Sequence, residues 1–131
     1  MSNHLEKVKN YLFELGYEIN SEDSNNELVV ITDESKGIKD LIIDCEAPIL
    51  IFEQLIFELK KDDPAVLKKL LQWNREVVHG AFVLDDSGKK VLFRDTLQLE
   101  NLDLNELEAS IDSLSFAMAE YSEDIIKFAK N

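Results

Sequence analysis

The sequence predicts an α+β fold: an antiparallel sheet of about five strands packed against helices, in the order α-β-β-β-α-β-β-α. Three observations predict it. The stretch from Leu70 to Leu104, LLQWNREVVHGAFVLDDSGKKVLFRDTLQLENLDL, reads as the end of a helix, a β-hairpin and the entry to a long helix. Upstream of it, three runs of β-type residues lie between Leu28 and Leu59. Downstream, apolar side chains at Leu104, Leu107, Ile111, Leu114, Met118, Tyr121, Ile125 and Phe128 recur at alternating spacings of three and four, the signature of one continuous helix face.

Each element has its own local cause. Leu5, Val8, Leu12 and Leu15 share one helix face with Tyr11 beside them, and Gly16 stops the helix. Phe13 lies off this stripe, where with Tyr17 it is placed to cover a sheet edge or a neighbouring chain. Asn20 to Asn26, NSEDSNN, is read as a polar loop. Leu28 to Thr32 and Ile38 to Cys45 form a hairpin around Ser35-Lys36-Gly37, and Pro48 marks the boundary before a long strand from Ile49 to Leu59. Strict alternation there puts Ile51, Leu55, Phe57 and Leu59 on one face, apolar apart from Glu53, and Phe52, Gln54, Ile56 and Glu58 on a mixed one.

Asp63 followed by Pro64 opens the second helix, with an acidic cap and a proline whose missing N–H costs nothing in the first turn. Leu67, Leu70, Leu71, Asn74, Val77 and Val78 are expected on its buried side. Asn74 thus sits inside an apolar stripe, where an amide must find partners, and a structural role tying the helix to the adjacent strand is the natural reading. Gly80 ends this segment, Ala81 to Leu84 and Val91 to Leu99 pair around the Asp85-to-Gly88 turn, and Asp95 interrupts the second strand as a bulge or a paired charge, with Arg94 of a partner chain as one pairing. Asp103 and Glu106 have capping-box spacing before the last helix. Its stripe suits either a coiled-coil seam or a cover for the sheet; the sheet needs a cover. Phe116 lies opposite the stripe, a candidate contact with another protein.

At 131 residues the chain is one domain's worth, residues 1–131. Its formal net charge is −13, and no Lys or Arg occurs between Asp95 and Asp124. Such a surface repels phosphate backbones and anionic headgroups, so neither nucleic acid nor membrane is expected as a partner. A basic partner is conceivable; the plainer reading is that the charge keeps a small protein soluble. The apolar runs Ala47 to Phe52 and Leu55 to Phe57 are far short of the roughly 20 residues of a membrane span. The polar N-terminus, MSNHLEKVKN, does not resemble a secretory signal, so a cytoplasmic location is expected.

Catalytic signatures are missing. His4 and His79 belong to no zinc-binding pattern, and the four glycines are accounted for by turns and stops. Cys45, the only cysteine, has no basic neighbour in sequence and is read as packing. Asp44 with Glu46 and Asp85 with Asp86 are the nearest acidic pairs, and the latter are explained by a hairpin turn. No cofactor or metal is expected.

The order of elements, the length and the acidity resemble the YbjN-like family of bacterial proteins, whose fold is similar to that of type III secretion chaperones of the CesT and Tir-chaperone kind. LLQWN at Leu70 to Asn74, GAFVL at Gly80 to Leu84, the Asp85-to-Gly88 turn, Val91 to Leu99 and the C-terminal helix carry the resemblance. It implies a homodimer, a sheet packed on helices, and a chaperone-like, sensory or regulatory role in binding another polypeptide through an apolar groove or strand edge, with no catalytic residues. Phe52, Ile56 and Leu92 on the mixed sheet face are candidates for the client site or the dimer seam, and symmetry favours the seam. Two alternatives stand beside this reading. One is an acidic partner-neutralising protein of the immunity type; the other is a small enzyme or ligand-binding domain using Asp44, Glu53 and Asp95.

Overall fold

Hydrophobic alternation and turn chemistry build one six-stranded antiparallel sheet with all the helices on one side. The computed structural model describes residues 4–130. Helix α1 (His4–Glu14) leads into β1 (Ile19–Asp23) and β2 (Leu28–Asp33); a 3₁₀ turn at Glu34–Lys36 connects to β3 (Ile38–Glu46) and β4 (Ile49–Glu58). Helix α2 (Pro64–Asn74) precedes the hairpin β5 (Ala81–Leu84) and β6 (Lys90–Gln98), and α3 (Leu104–Lys130) closes the chain. The strands lie in the order β1-β2-β3-β4-β6-β5.

The fold class stands with one strand more than expected. Residues of the supposed polar loop form β1, an edge strand that bends at a register shift between Ile19 and Ser21. An edge strand wetted along its length needs no apolar alternation, and its charge discourages pairing with foreign strands. Lys9 of α1 holds it from above through an ion pair to Glu22 at 2.9 Å, and Asp23 closes the following turn by accepting from the Asn26 side chain at 2.7 Å.

The face assignment in β4 is corrected. A bulge between Leu55 and Phe57 shifts the register against β6, so the alternation reverses within the strand. Leu50, Phe52 and Gln54 point into the core before the bulge, Phe57 and Leu59 after it, and Ile51, Glu53 and Leu55 point away from the helices. Buried Gln54 substitutes for a missing ladder. β3 loses its pairing to β4 beyond Ile42, and the Gln54 amide takes over, accepting from the Lys39 N–H and donating to the Gly37 carbonyl, both at 3.0 Å. Gly37 itself has φ +72°, and a Cβ there would lie 2.6 Å from Met118 Cβ, so this corner lets α3 approach the sheet.

The core is one cluster between sheet and helices. Leu5, Val8 and Leu12 of α1 and Leu107, Ile111 and Leu114 of α3 meet Val29, Ile31, Leu41, Ile43, Leu50 and Phe93 from the sheet. The stripe on α3 is therefore a cover for the sheet. Both helix caps are present: Asp63 Oδ1 accepts from the Ala65 N–H at 3.1 Å, and Asp103 Oδ1 from the Glu106 N–H at 2.7 Å. On α2 the buried face is Val66, Leu70 and Trp73, while Leu71 turns to solvent, and the helix ends at Asn74, so Val77 and exposed Val78 lie in the segment after it, contrary to the expected stripe. Trp73 decides the rotation. It stacks on Tyr121 at 4.3 Å and meets Phe82 edge-on at 5.3 Å, a larger apolar burial than Leu71 offers.

Candidate functional site

The sheet has a covered face and an open one. On the open face the register aligns Val30, Ile42, Glu53, Arg94 and Ala81 in one row across five strands. Leu28, Asp44, Ile51 and Thr96 form the next row, and Leu55, Leu92 and Val83 flank the first on its other side. Ile42 is 40% exposed and Leu55 49%, high for large apolar side chains on interior strands. Glu53 and Arg94 lie among them as an ion pair at 3.0 Å.

The candidate interface residues separate on this geometry. Phe52, 3% exposed, is a core residue, and the β4 bulge is why strict alternation placed it outward. Ile56 sits at the bulge, partly buried against the core. Leu92 lies on the open face beside Leu55 and Val83. Phe116 is elsewhere, 77% exposed on α3. Phe13, on the outer side of α1, is exposed, and Tyr17 is buried against the core.

A second apolar surface is a groove of about 850 Å³ between α2 and α3. Trp73, Val77, Ala117 and Tyr121 are among its lining residues, with exposed Val78 and Phe116. Two side chains set its shape. Asn74 Nδ2 donates to the Phe82 carbonyl at 3.1 Å and Asn74 Oδ1 accepts from the Phe82 N–H at 2.7 Å, so α2 is tied to β5. Ser113 Oγ donates to the His79 carbonyl at 2.7 Å and accepts its N–H at 3.1 Å, so the segment after α2 is tied to α3. Sequence reading singled out Phe116 but missed the groove, because its two walls are some forty residues apart in the chain. The available signal was the small-residue series Ala109, Ser113 and Ala117, spaced four apart on α3.

The acidic residues are not brought together as a catalytic group. Asp44 and Glu53 lie on the open face, whereas Asp95 pairs with Phe52 on the covered one, its Oδ1 accepting from the Thr96 N–H at 2.8 Å. Arg94 finds its carboxylate within the chain, at Glu53. Burial, then the neighbouring charges of Glu46, Glu53 and Glu27, push the Asp44 carboxyl up to about 6. Burial, with Glu27, Asp44 and Glu46 nearby, pushes the Cys45 thiol up to about 11, which leaves it a poor nucleophile. Among the described residues no group of three or more His, Cys, Asp or Glu is placed to hold a metal ion, and no helix is long and apolar enough to cross a membrane.

No curated protein matches the chain. Among solved structures it is similar to YbjN from E. coli, at 16% identity and TM-score 0.72 over 92% of each chain. It is also similar to a chain of the HopA1–SchA chaperone–effector complex, at 17% identity and TM-score 0.62, covering 100% of this chain and 98% of that one. A third likeness is to the Yersinia pestis type III secretion chaperone SycH in complex with a stable fragment of YscM2, at 13% identity and TM-score 0.54, covering 95% and 98%. At such identities the likeness is one of fold. The family model CesT_Tir_1 matches residues 1–131, and the chain belongs to that family.

Proposed function

We propose that this chain is a chaperone-like or regulatory protein that acts as a cytoplasmic homodimer and binds a segment of another polypeptide, without catalysing a reaction. The open sheet face carries the reading. A sheet with helices on one side and exposed Ile42 and Leu55 on the other is completed most simply by a second copy. The charges there suit self-pairing: Glu53 and Arg94 are of opposite sign and adjacent, so a two-fold axis near them lets each meet its opposite across the seam. Leu92 and Ile56 belong to this seam or its margin, and Phe116 is left for the client. The fold shared with chains solved in a chaperone–effector complex and in a complex with a YscM2 fragment supports polypeptide binding. The lone, buried Cys45 suits a reducing compartment.

The solution mass tests this. Light scattering at micromolar concentration is expected to give twice the chain mass for the wild type, the single chain mass for Leu55→Glu and Ile42→Glu, and an unchanged dimer for Phe116→Glu. A monomeric wild type would overturn the homodimer. The acidity of the α2–α3 groove favours one second reading, an acidic protein that neutralises a basic partner. That reading predicts one tight, strongly salt-dependent partner, where a chaperone releases its client.

A further inference from the structure

Resting on the polypeptide-binding reading above, we propose that the α2–α3 groove is the client site and that it takes an amphipathic helix flanked by basic residues. The groove's walls are α2 and α3, whose backbone groups are bonded within each helix, and the short segment Glu76 to His79, in which the Glu76 and Val77 N–H groups donate to the Trp73 carbonyl and the His79 N–H and carbonyl are taken by Ser113 Oγ. It therefore offers no main-chain ladder to an extended segment, which would lay its own polar backbone on Trp73, Val77 and Tyr121 unpaired. A helix satisfies its backbone internally and presents only side chains.

The dimensions suit such an occupant. From Ala109 to Tyr121 the α3 wall runs about 18 Å at 1.5 Å per residue, the length of three helical turns. Along it Ala109, Ser113 and Ala117 keep the wall low enough for another helix to lie close, and Phe116 and Val78, 77% and 82% exposed, stand free to grip it. Anchors at i, i+3 or i+4, and i+7 would reach down to Trp73 and Tyr121.

Charge selects the occupant's flanks and argues against a second copy. Glu76, Asp112 and Glu120 line the groove against Lys69 alone, and α3 holds no Lys or Arg before Lys127. A two-fold contact through this groove would set those carboxylates against themselves, whereas Lys or Arg beside the anchors of another polypeptide meets them as opposites.

Trp73, the only tryptophan, is a built-in reporter at the groove. The probe is a synthetic tryptophan-free peptide of fourteen residues, roughly four helical turns, with Leu and Phe at the anchor spacing and Lys elsewhere, titrated into the full chain. The peptide is expected to change Trp73 emission saturably. Phe116→Ala is expected to weaken it about tenfold, the loss of an aromatic anchor. The pair Glu76→Lys with Asp112→Lys is expected to weaken it by a similar factor at low salt, the difference shrinking as salt is raised. The pair Glu14→Lys with Asp86→Lys, exposed acids away from the groove, is expected to leave it within about twofold. Absence of saturable binding, equal binding of an isomer broken by a central proline, or equal weakening by the Glu14 and Asp86 pair would overturn the helix-in-groove inference. Halving of the mass by Phe116→Glu would assign the groove to a second copy instead. If the proline isomer binds without moving Trp73 while the wild type is a dimer, the polypeptide-binding reading survives and this inference alone fails.

Discussion

The open sheet face and the α2–α3 groove both leave large apolar side chains in water, but they differ in shape and in charge. The sheet face is broad, built on five hydrogen-bonded strands, and carries both signs at its centre in Glu53 and Arg94. The groove is concave, walled by α2, the segment after it and α3, and its apolar lining is edged by the carboxylates of Glu76, Asp112 and Glu120 against the single ammonium of Lys69. A flat surface with paired opposite charges is complementary to its own image; a concave one-signed surface is complementary only to something convex and oppositely charged. Exposed hydrophobicity says that a surface is used, and the sign and arrangement of the surrounding charges says by what kind of partner.

The largest expected effect tests which residues make up the sheet face. Phe52→Ala is expected to cost about 3–5 kcal/mol in urea unfolding, because it empties a core site, while Leu55→Ala costs less than about 1 kcal/mol in a monomeric background. Equal costs would mean that the β4 bulge does not reverse the alternation, and the composition of the open face would have to be redrawn. The next effect tests the groove. Asn74→Ala leaves the Phe82 N–H and carbonyl without their side-chain partner, and is expected to cost about 2 kcal/mol and to shift Trp73 emission to the red as α2 loosens from β5. A stable variant with unchanged emission would mean that Asn74 does not set the groove's shape.

Local signals are legible in the sequence, and non-local ones are not. The caps at Asp63 and Asp103, the long stripe on α3 and the Asp85-to-Gly88 turn depend on residues within one or two turns of each other, and each is present in the fold. β1 was invisible because an edge strand in water is free to be polar, so INSED carries no period-two signal. The face of β4 was misread because periodicity cannot reveal a bulge: Phe57 and Leu59 are inward, and counting back from them in twos puts Ile51 and Leu55 inward as well. On α2, helical spacing permits either Leu71 or Trp73 to face inward, and only the arrival of Tyr121 and Phe128 from α3 selects Trp73. The groove follows from that same encounter, so Phe116 was legible as an exposed aromatic but not as part of a groove.

The Glu53–Arg94 pair provides a smaller and sharper test of the sheet face. Both side chains are partly exposed, so in the Leu55→Glu monomer a double-mutant cycle with Glu53→Gln and Arg94→Gln is expected to give a coupling of about 0.5 kcal/mol. In the wild-type dimer, where the pair would be shielded from solvent and duplicated across the axis, the coupling measured on dissociation is expected to be larger and less sensitive to salt. Equal couplings in the two backgrounds would place the seam away from this pair, leaving the open face to another partner.

The smallest effect is electrostatic and belongs to the sheet face alone. Asp44 faces outward beside Glu46, within the field of Glu53 and Glu27, and its carboxyl is raised to about 6 in the folded chain from an ordinary value of 3.8. Between those two values the folded state binds more protons than the unfolded one, so this group's contribution to stability falls as pH rises through the window from about 4 to 6. At neutral pH it is a penalty, reduced by solvent screening to about 0.5 kcal/mol. Glu22, Asp23 and Asp85 act in the opposite sense: Lys9 lowers the first, Asn26 the second and Ser87 the third, so their stabilisation is lost only as pH falls through still lower values. Asp44→Asn is therefore expected to raise stability at pH 7 and to flatten the pH 4–6 part of the unfolding profile, leaving the acid limb below pH 4 unchanged. A variant whose profile keeps its slope between pH 4 and 6 would show that Asp44 ionises with the other carboxylates.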